Sequence, residues 1–307
     1  MPTEQEASTN PVGSVVDAHF HVWDPVRRRH DWLEAAAPEL RRSFDIDEYA
    51  ATATVCGVRA SVVVEAVDTS VETQDLIDVA DASPLVAGVV GWVDLTAENV
   101  SDTIDAWRHS PGGAVLVGAR HLVQGEADPR WLERPDVIHG LKALADAGLT
   151  YDLLVRPRQL PSAVVAVDAV ESGRFVLDHG AKPEIAAGIT EPWWSLVGEL
   201  ARRPHVTCKL SGLVTEAGQP WKAGDLGPYV DRLVEVFGPE RLMFGSDWPV
   251  CIASASYADV VDLARSLLAE RLGAAETAMV MADNAVTTYS LRLPRSAHLT
   301  ERPICGK

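Results

Sequence analysis

Two short segments near opposite ends of the chain carry residue types that do chemistry at neutral pH: Asp17-Ala18-His19-Phe20-His21 and Gly245-Ser246-Asp247-Trp248-Pro249. Alternate side chains of an extended strand share a face. The spacing therefore predicts Asp17, His19 and His21 on one surface, with Val16, Ala18 and Phe20 on the other. Paired imidazoles ligate a divalent metal or carry protons near pH 7, and a carboxylate closing a second apolar strand is the usual third member of such a site. As plain core histidines, His19 and His21 would need only hydrogen-bond partners. The distant Asp247 and the further ionisable strand ends favour the chemical reading.

Such a site needs strands that end together. Short apolar runs rich in β-branched residues, at 15–22, 60–66, 87–94, 118–123, 150–155, 175–179, 206–211 and 242–247, alternate with segments of helical period. This order marks repeated βα units around a parallel sheet. Val230, Leu233, Val234 and Phe237 put one apolar stripe along a helix, and 69–82, 97–109, 137–147, 257–272 and 274–291 read similarly. Pro84, Pro111-Gly112-Gly113, Gly148, Pro204 and Gly238 punctuate the helices. Eight strand–helix pairs predict an α/β fold, a (β/α)8 TIM barrel. The alternative, a doubly wound open sheet, carries a glycine-rich phosphate loop after its first strand, where this chain has His21-Val22-Trp23-Asp24-Pro25. A single domain is expected over 14–292, with loose tails at 1–13 and 293–307.

In a barrel of this kind the active site lies at the C-terminal ends of the strands, where this chain repeatedly places ionisable residues. His19 and His21 end the first strand, Glu65 the second, Arg120 and His121 the fourth, Asp178 and His179 the sixth, Lys209 and Ser211 the seventh, and Asp247 the eighth. Buried ion pairs account for some of them. By alternation His179 shares a face with Leu177 and Phe175, and Asp247 with Gly245 and Met243, which would gather His19, His21, His179 and Asp247 around one point. Three nitrogens and a carboxylate suit one borderline metal such as zinc, with a water in an open position. Such a metal acidifies that water and polarises a carbonyl while Asp247 accepts the proton. Without metal, Arg120 or Lys209 would serve as the electrophile.

Five ordered segments resemble the amidohydrolase superfamily: 17–24, 118–121, 175–183 (Phe-Val-Leu-Asp-His-Gly-Ala-Lys-Pro), 208–213 and 241–251 (Arg-Leu-Met-Phe-Gly-Ser-Asp-Trp-Pro-Val-Cys). Within it they are similar to the amidohydrolase 2 type sugar-lactonase group, which includes L-fuconolactonase, L-rhamnonolactonase and 2-pyrone-4,6-dicarboxylate lactonase. The match is collinear from about residue 15 to about 291. The resemblance implies a distorted (β/α)8 barrel that hydrolyses an ester bond within a ring, with His19 and His21 as the first-strand pair, His179 as the sixth-strand histidine and Asp247 as the aspartate that activates water. The fourth strand lacks a lysine that could be carbamylated and the fifth lacks a histidine, which counts against a two-metal site. One divalent ion, zinc or manganese, and metal-free catalysis both stay open. Trp23 and Trp248 would either face a sugar ring or anchor the rim. Glu65, Arg120, His121 and Lys209 are candidate substrate contacts, or pair among themselves and with Asp178. Lys182 reads as a loop charge, and Trp193-Trp194 as core packing rather than a lid.

The expected activity is opening of a sugar-acid lactone, an aldono-1,5- or 1,4-lactone, with a small-molecule partner only. A pyrone-dicarboxylate lactonase and a metal-dependent decarboxylase are the alternatives on the same barrel, and a non-catalytic binding protein is disfavoured by the intact set of four site residues. The 307 residues, 47% hydrophobic and 23% charged, can bury a substantial core. A net charge of −17 excludes a nucleic-acid surface and disfavours anionic membranes. The first ten residues lack a signal-peptide pattern and no apolar run spans a bilayer, so a cytoplasmic protein is expected. Cys56, Cys208, Cys251 and Cys305 have no metal-binding or disulfide spacing. No feature of the sequence sets an oligomeric state.

Overall fold

Each of the eight apolar runs forms a strand, and the eight strands lie parallel in a sheet ordered as in the sequence. They are β1 (Val15–Phe20), β2 (Val58–Val64), β3 (Val86–Gly91), β4 (Leu116–His121), β5 (Thr150–Leu153), β6 (Arg174–Leu177), β7 (Val206–Leu210) and β8 (Leu242–Phe244). The computed structural model describes residues 14–293; the tails expected at 1–13 and 293–307 fall outside them except for Leu293.

Helices cover the sheet: α1 (Ile46–Ala53), α2 (Ser70–Ala82), α3 (Val100–Arg108), α4 (Pro135–Asp146), α5 (Leu160–Ala169), α6 (Trp193–Ala201), α7 (Leu213–Ala217), α8 (Ala223–Phe237), α9 (Tyr257–Ala269), α10 (Ala274–Ala278) and α11 (Asn284–Tyr289). Their ends follow local chemistry. Asp45 accepts the Glu48 N–H to start α1, and the Ser256 hydroxyl and Asp259 carboxylate cap α9 reciprocally. The stripe expected on α8 is buried at Val230, Leu233 and Phe237, while Val234 is half-buried at its edge. The continuous helix expected over 274–291 is instead α10 and α11 joined by a π-helical turn at Met279–Asp283. No helix among the described residues is long and apolar enough to cross a membrane.

Closure between β1 and β8 happens just beyond the strand ends. The Asp247 N–H donates to His19 O at 2.8 Å and the His21 N–H to Trp248 O at 2.7 Å. A Cβ at Gly245 would sit 2.7 Å from that of His19, so only glycine lets the two segments approach this closely. The first and last motifs of the sequence are thus stitched into one rim.

Inside the sheet, Val16, Ala18, Val62, Val64, Val90, Val176 and Met243 pack with Ala285 and Tyr289 of α11. Outside it, the second faces of the strands meet the helices. Both faces are therefore apolar, as a parallel sheet requires. The polar residues that remain inside collect above the apolar layer, toward the C-terminal ends.

Candidate active site

The first-strand histidines owe their position to an irregularity. Asp17 is in register with Ser61 and Phe20 with Val63, so β1 takes three steps where β2 takes two. One extra residue reverses the side-chain alternation. Asp17 consequently faces outward, away from the histidines with which alternation grouped it. It accepts hydrogen bonds from Tyr49 of α1 (3.0 Å), Tyr257 of α9 (2.9 Å) and Ser246 (2.8 Å to N, 2.6 Å to Oγ). Phe20 faces outward too, stacked on Tyr49 at 3.7 Å, whereas Val16 and Ala18 line the interior. His19 and His21 turn inward, their Nε2 atoms 3.1 Å apart. Asp17 thus holds the β1–β8 junction from behind.

His179 also reaches the site by a route other than alternation. Leu177 and Phe175 pack outward and Asp178 inward, so an extended chain would carry His179 away. Instead β6 ends and four successive residues adopt left-handed backbone: His179 (φ 52), Gly180 (φ 55), Ala181 (φ 64) and Lys182 (φ 51). Lys182 N–H closes this turn on His179 O at 2.9 Å. Trp193 pins it, its indole donating to Gly180 O at 2.6 Å, and at 1% exposure it is a core residue as expected. Asp247 is left-handed as well (φ 58). A Cβ on Gly212 would lie 2.7 Å from His179 Nδ1 and 3.2 Å from Asp247 Oδ2, so that loop must be glycine to pass.

Together these elements bring His19, His21, His179 and Asp247 to one point. Asp247 Oδ1 lies 3.6 Å from His21 Nε2, 3.8 Å from His19 Nε2 and 3.9 Å from His179 Nε2. His21 Nδ1–H donates to Val64 O at 2.7 Å, which turns Nε2 toward the site, and His179 Nδ1 shares a hydrogen bond with Ser211 at 2.8 Å. Burial lowers the basicity of His179 to about 4, and burial together with Lys209 holds His19 well below the usual histidine range. Burial pushes Asp247 up, but His179, His21 and His19 outweigh it and keep the carboxyl well below the usual range. Neutral His19 and His179 beside an ionised carboxylate are what a metal site or a proton acceptor needs. Tetrahedral zinc, bonded at about 2.0–2.1 Å, sets its ligand atoms about 3.3 Å apart. The separations among His19, His21 and Asp247, 3.1–3.8 Å, therefore suit such an ion, with His179 Nε2 3.9 Å from Asp247 beside them.

Beneath the histidines lies a floor of buried charges. Arg120 donates to Glu65 Oε1 at 2.8 Å, to the Glu65 carbonyl and to Asp178 at 3.1 Å. Lys209 donates to Asp152 at 2.6 Å and lies 2.9 Å from Asp178 and 3.0 Å from His19 Nδ1. Tyr289 of α11 adds a hydrogen bond to Asp152 at 2.7 Å. Burial pushes Glu65 up to about 8 against the pull of Arg120, and its Oε2 has no hydrogen-bond partner among the described residues. Asp178 stays well below the usual range despite burial, because Lys209 lies beside it.

The other candidates make no hydrogen bond to the Asp247 carboxylate among the described residues. Trp23 (4% exposed) donates to Arg42 O at 2.9 Å and packs on Trp32 and Phe44; Trp248 (3% exposed) packs on Phe44 and Tyr49. Both anchor the rim. His121 stacks on Trp131 at 4.2 Å, accepts from Trp92 at 3.0 Å and donates to Glu126 at 2.8 Å. Lys182 is more than a loop charge: its side chain is 16% exposed and sits in the field of Asp247 and Glu216. Glu216 and Arg156, which face it, carry no motif that would single them out. The signal for Lys182 was its place three residues after His179 across a glycine.

The amidohydrolase family profile matches residues 16–291. An L-fucono-1,5-lactonase of Burkholderia multivorans is 35% identical over 297 residues, covering 92% of this chain and 98% of that protein. An L-fucono-1,5-lactonase of Burkholderia ambifaria is 36% identical over 244 residues, 80% of this chain and 83% of the other. Among solved structures, a B. multivorans amidohydrolase with bound zinc superposes with a TM-score of 0.86 at 35% identity, covering 91% of this chain and 100% of that one. An eight-stranded barrel, a His-x-His pair ending its first strand, an aspartate beyond its eighth and a profile match across nearly the whole barrel lead to one assignment: this chain belongs to the amidohydrolase family.

Proposed function

We propose that this protein is a lactonase that opens a sugar-acid lactone, with L-fucono-1,5-lactone the first ring to try. The observation that carries the reading is the ionised Asp247 enclosed by three inward-facing imidazoles, in a chain 35% identical to an L-fucono-1,5-lactonase over 92% of its length. Asp247 accepts a proton from water as its oxygen attacks the lactone carbonyl carbon. The bond from that carbon to the ring oxygen then breaks. Asp247 returns the proton to the ring oxygen, leaving a hydroxyl and a carboxylate. Its depressed basicity keeps it ionised at neutral pH, and the hydrogen bonds that His21 makes with Val64 and His179 with Ser211 hold both rings in place.

His19, His21, His179 and Asp247 would hold one divalent ion, zinc first. That ion would supply Lewis acidity to the carbonyl and acidify water. Lys209 then acts from below, keeping His19 neutral, and Arg120 touches its Nε2 at 3.3 Å. Glu65 holds Arg120 in the floor and His121 packs on Trp131, so neither acts on the reacting atoms.

A pH-indicator assay on L-fucono-, L-rhamnono-, L-arabinono- and D-galactonolactone tests the reading. Acid release above the spontaneous rate on at least one ring is expected, with about one zinc per chain by elemental analysis. Silence across the panel from folded, zinc-loaded protein would overturn it.

A further inference from the structure

The reaction proposed above creates a charge. Water oxygen joins the acyl carbon, the ring oxygen keeps one water proton, and the other proton leaves to solvent, so a neutral lactone becomes an anion. That carboxylate forms beside the ionised Asp247 and needs a cation to hold it. Arg120 and Lys209 are the cations nearest His19, but their carboxylate partners are already in place: Glu65, Asp178 and Asp152 face these two side chains, so the floor offers no surplus positive charge.

The rim above β5, β6 and β7 differs. Lys182 Nζ lies 3.9 Å from Glu216 Oε1 and makes no hydrogen bond among the described residues. Arg156 reaches the other Glu216 oxygen at 3.9 Å. Both separations exceed hydrogen-bond length, so these cations keep unsatisfied donors. Lys182 is nonetheless mostly enclosed, and burial pushes its amine down while Asp247 and Glu216 pull it back up. The backbone explains why it is there. Residues three apart on a single helical turn share a side, so the left-handed turn that swings His179 into the site aims Lys182 the same way. Left-handed backbone is strained for a non-glycine residue, and here His179, Ala181 and Lys182 all adopt it, with Trp193 pinning the turn.

Resting on the lactonase reading, we propose that Lys182 binds the carboxylate made by ring opening, with Glu216 holding its ammonium at the site mouth and Arg156 adding further donors. The ligand class is an aldonate, a polyhydroxylated carboxylate. Lys182 thereby sets how tightly product is held, and it acts more weakly on the neutral lactone.

The test uses the full chain and the variants Lys182→Met and Lys182→Arg, each shown by its melting curve to be folded, with L-fuconate as the probe. Competitive inhibition by L-fuconate should weaken at least about tenfold in Lys182→Met, while KM for the lactone moves less than about threefold. Lys182→Arg should recover part of the loss. Calorimetric titration with L-fuconate reads the same affinity without turnover, and any ion held by the imidazoles is common to all the proteins compared. Unchanged L-fuconate affinity in Lys182→Met, with an active wild type, contradicts the anion site and leaves the lactonase reading standing. An inactive wild type whose L-fuconate binding still depends on Lys182 contradicts the lactonase reading and keeps the site. A wild type that binds no L-fuconate overturns the proposal.

Discussion

Arg120 and Lys209 below the histidines, and Lys182 and Arg156 above them, are all cations near strand ends, yet their surroundings are opposite. The lower pair is fully buried and hydrogen-bonded to Glu65, Asp178 and Asp152. The upper pair shares one carboxylate, Glu216, at 3.9 Å on both sides. A buried ion pair contributes shape and electrostatic setting, because its donors are saturated and removal of one member strands the other. A loosely paired rim cation contributes little to stability but still has donors to offer. Position at a strand end therefore does not separate scaffold from ligand contact. Donor saturation does.

That contrast breaks most visibly at Lys209. Lys209→Met leaves Asp152 and Asp178 short of a partner in the interior, and should cost about 3–5 kcal/mol in urea unfolding. A cost under about 1 kcal/mol would mean that the floor is not the structural network described.

Acid exposes the same interior through His179. In metal-stripped protein its ring binds a proton near pH 4, against 6.5 for the free side chain. Between those values the unfolded chain is protonated and the folded one is not, so stability is complete above pH 6.5 and falls as pH drops toward 4, by up to about 3 kcal/mol. Unfolding curves across this window should flatten for His179→Asn relative to wild type. Parallel slopes in the two proteins would contradict the assignment.

Tyr289→Phe removes one hydrogen bond from Asp152 while keeping the ring in its apolar layer. It should cost about 1 kcal/mol, with Lys209 still holding the carboxylate. At the rim, Glu216→Gln should change stability by less than about 1 kcal/mol. A large loss there would make the rim structural and erase the distinction.

Sequence showed the barrel because each strand is apolar on both faces, which parallel sheets alone demand, and because breakers separated the helices. It brought β1 and β8 together through His19, His21 and Asp247. What it could not show is how the backbone departs from regular strand geometry. Alternation grouped Asp17 with the histidines, and a one-residue irregularity in β1 turned it outward to Tyr49 and Tyr257. Alternation also sent His179 inward with Leu177, whereas a strained left-handed turn does the work, and Gly180 was its only local sign. Asp178 was legible as a partner of Lys209, but the second partner, Asp152, was hidden because it sits in mid-strand, where no motif marks it.

Asp247 is the group proposed to take the proton from water. The most direct measurement compares the wild type with Asp247→Asn on the lactone that the wild type opens fastest, at matched folding and metal content. A loss of at least about 10³-fold in kcat with an unchanged melting temperature is predicted. A variant within tenfold of the wild type would show that the proton goes elsewhere, and would contradict the mechanism at its centre.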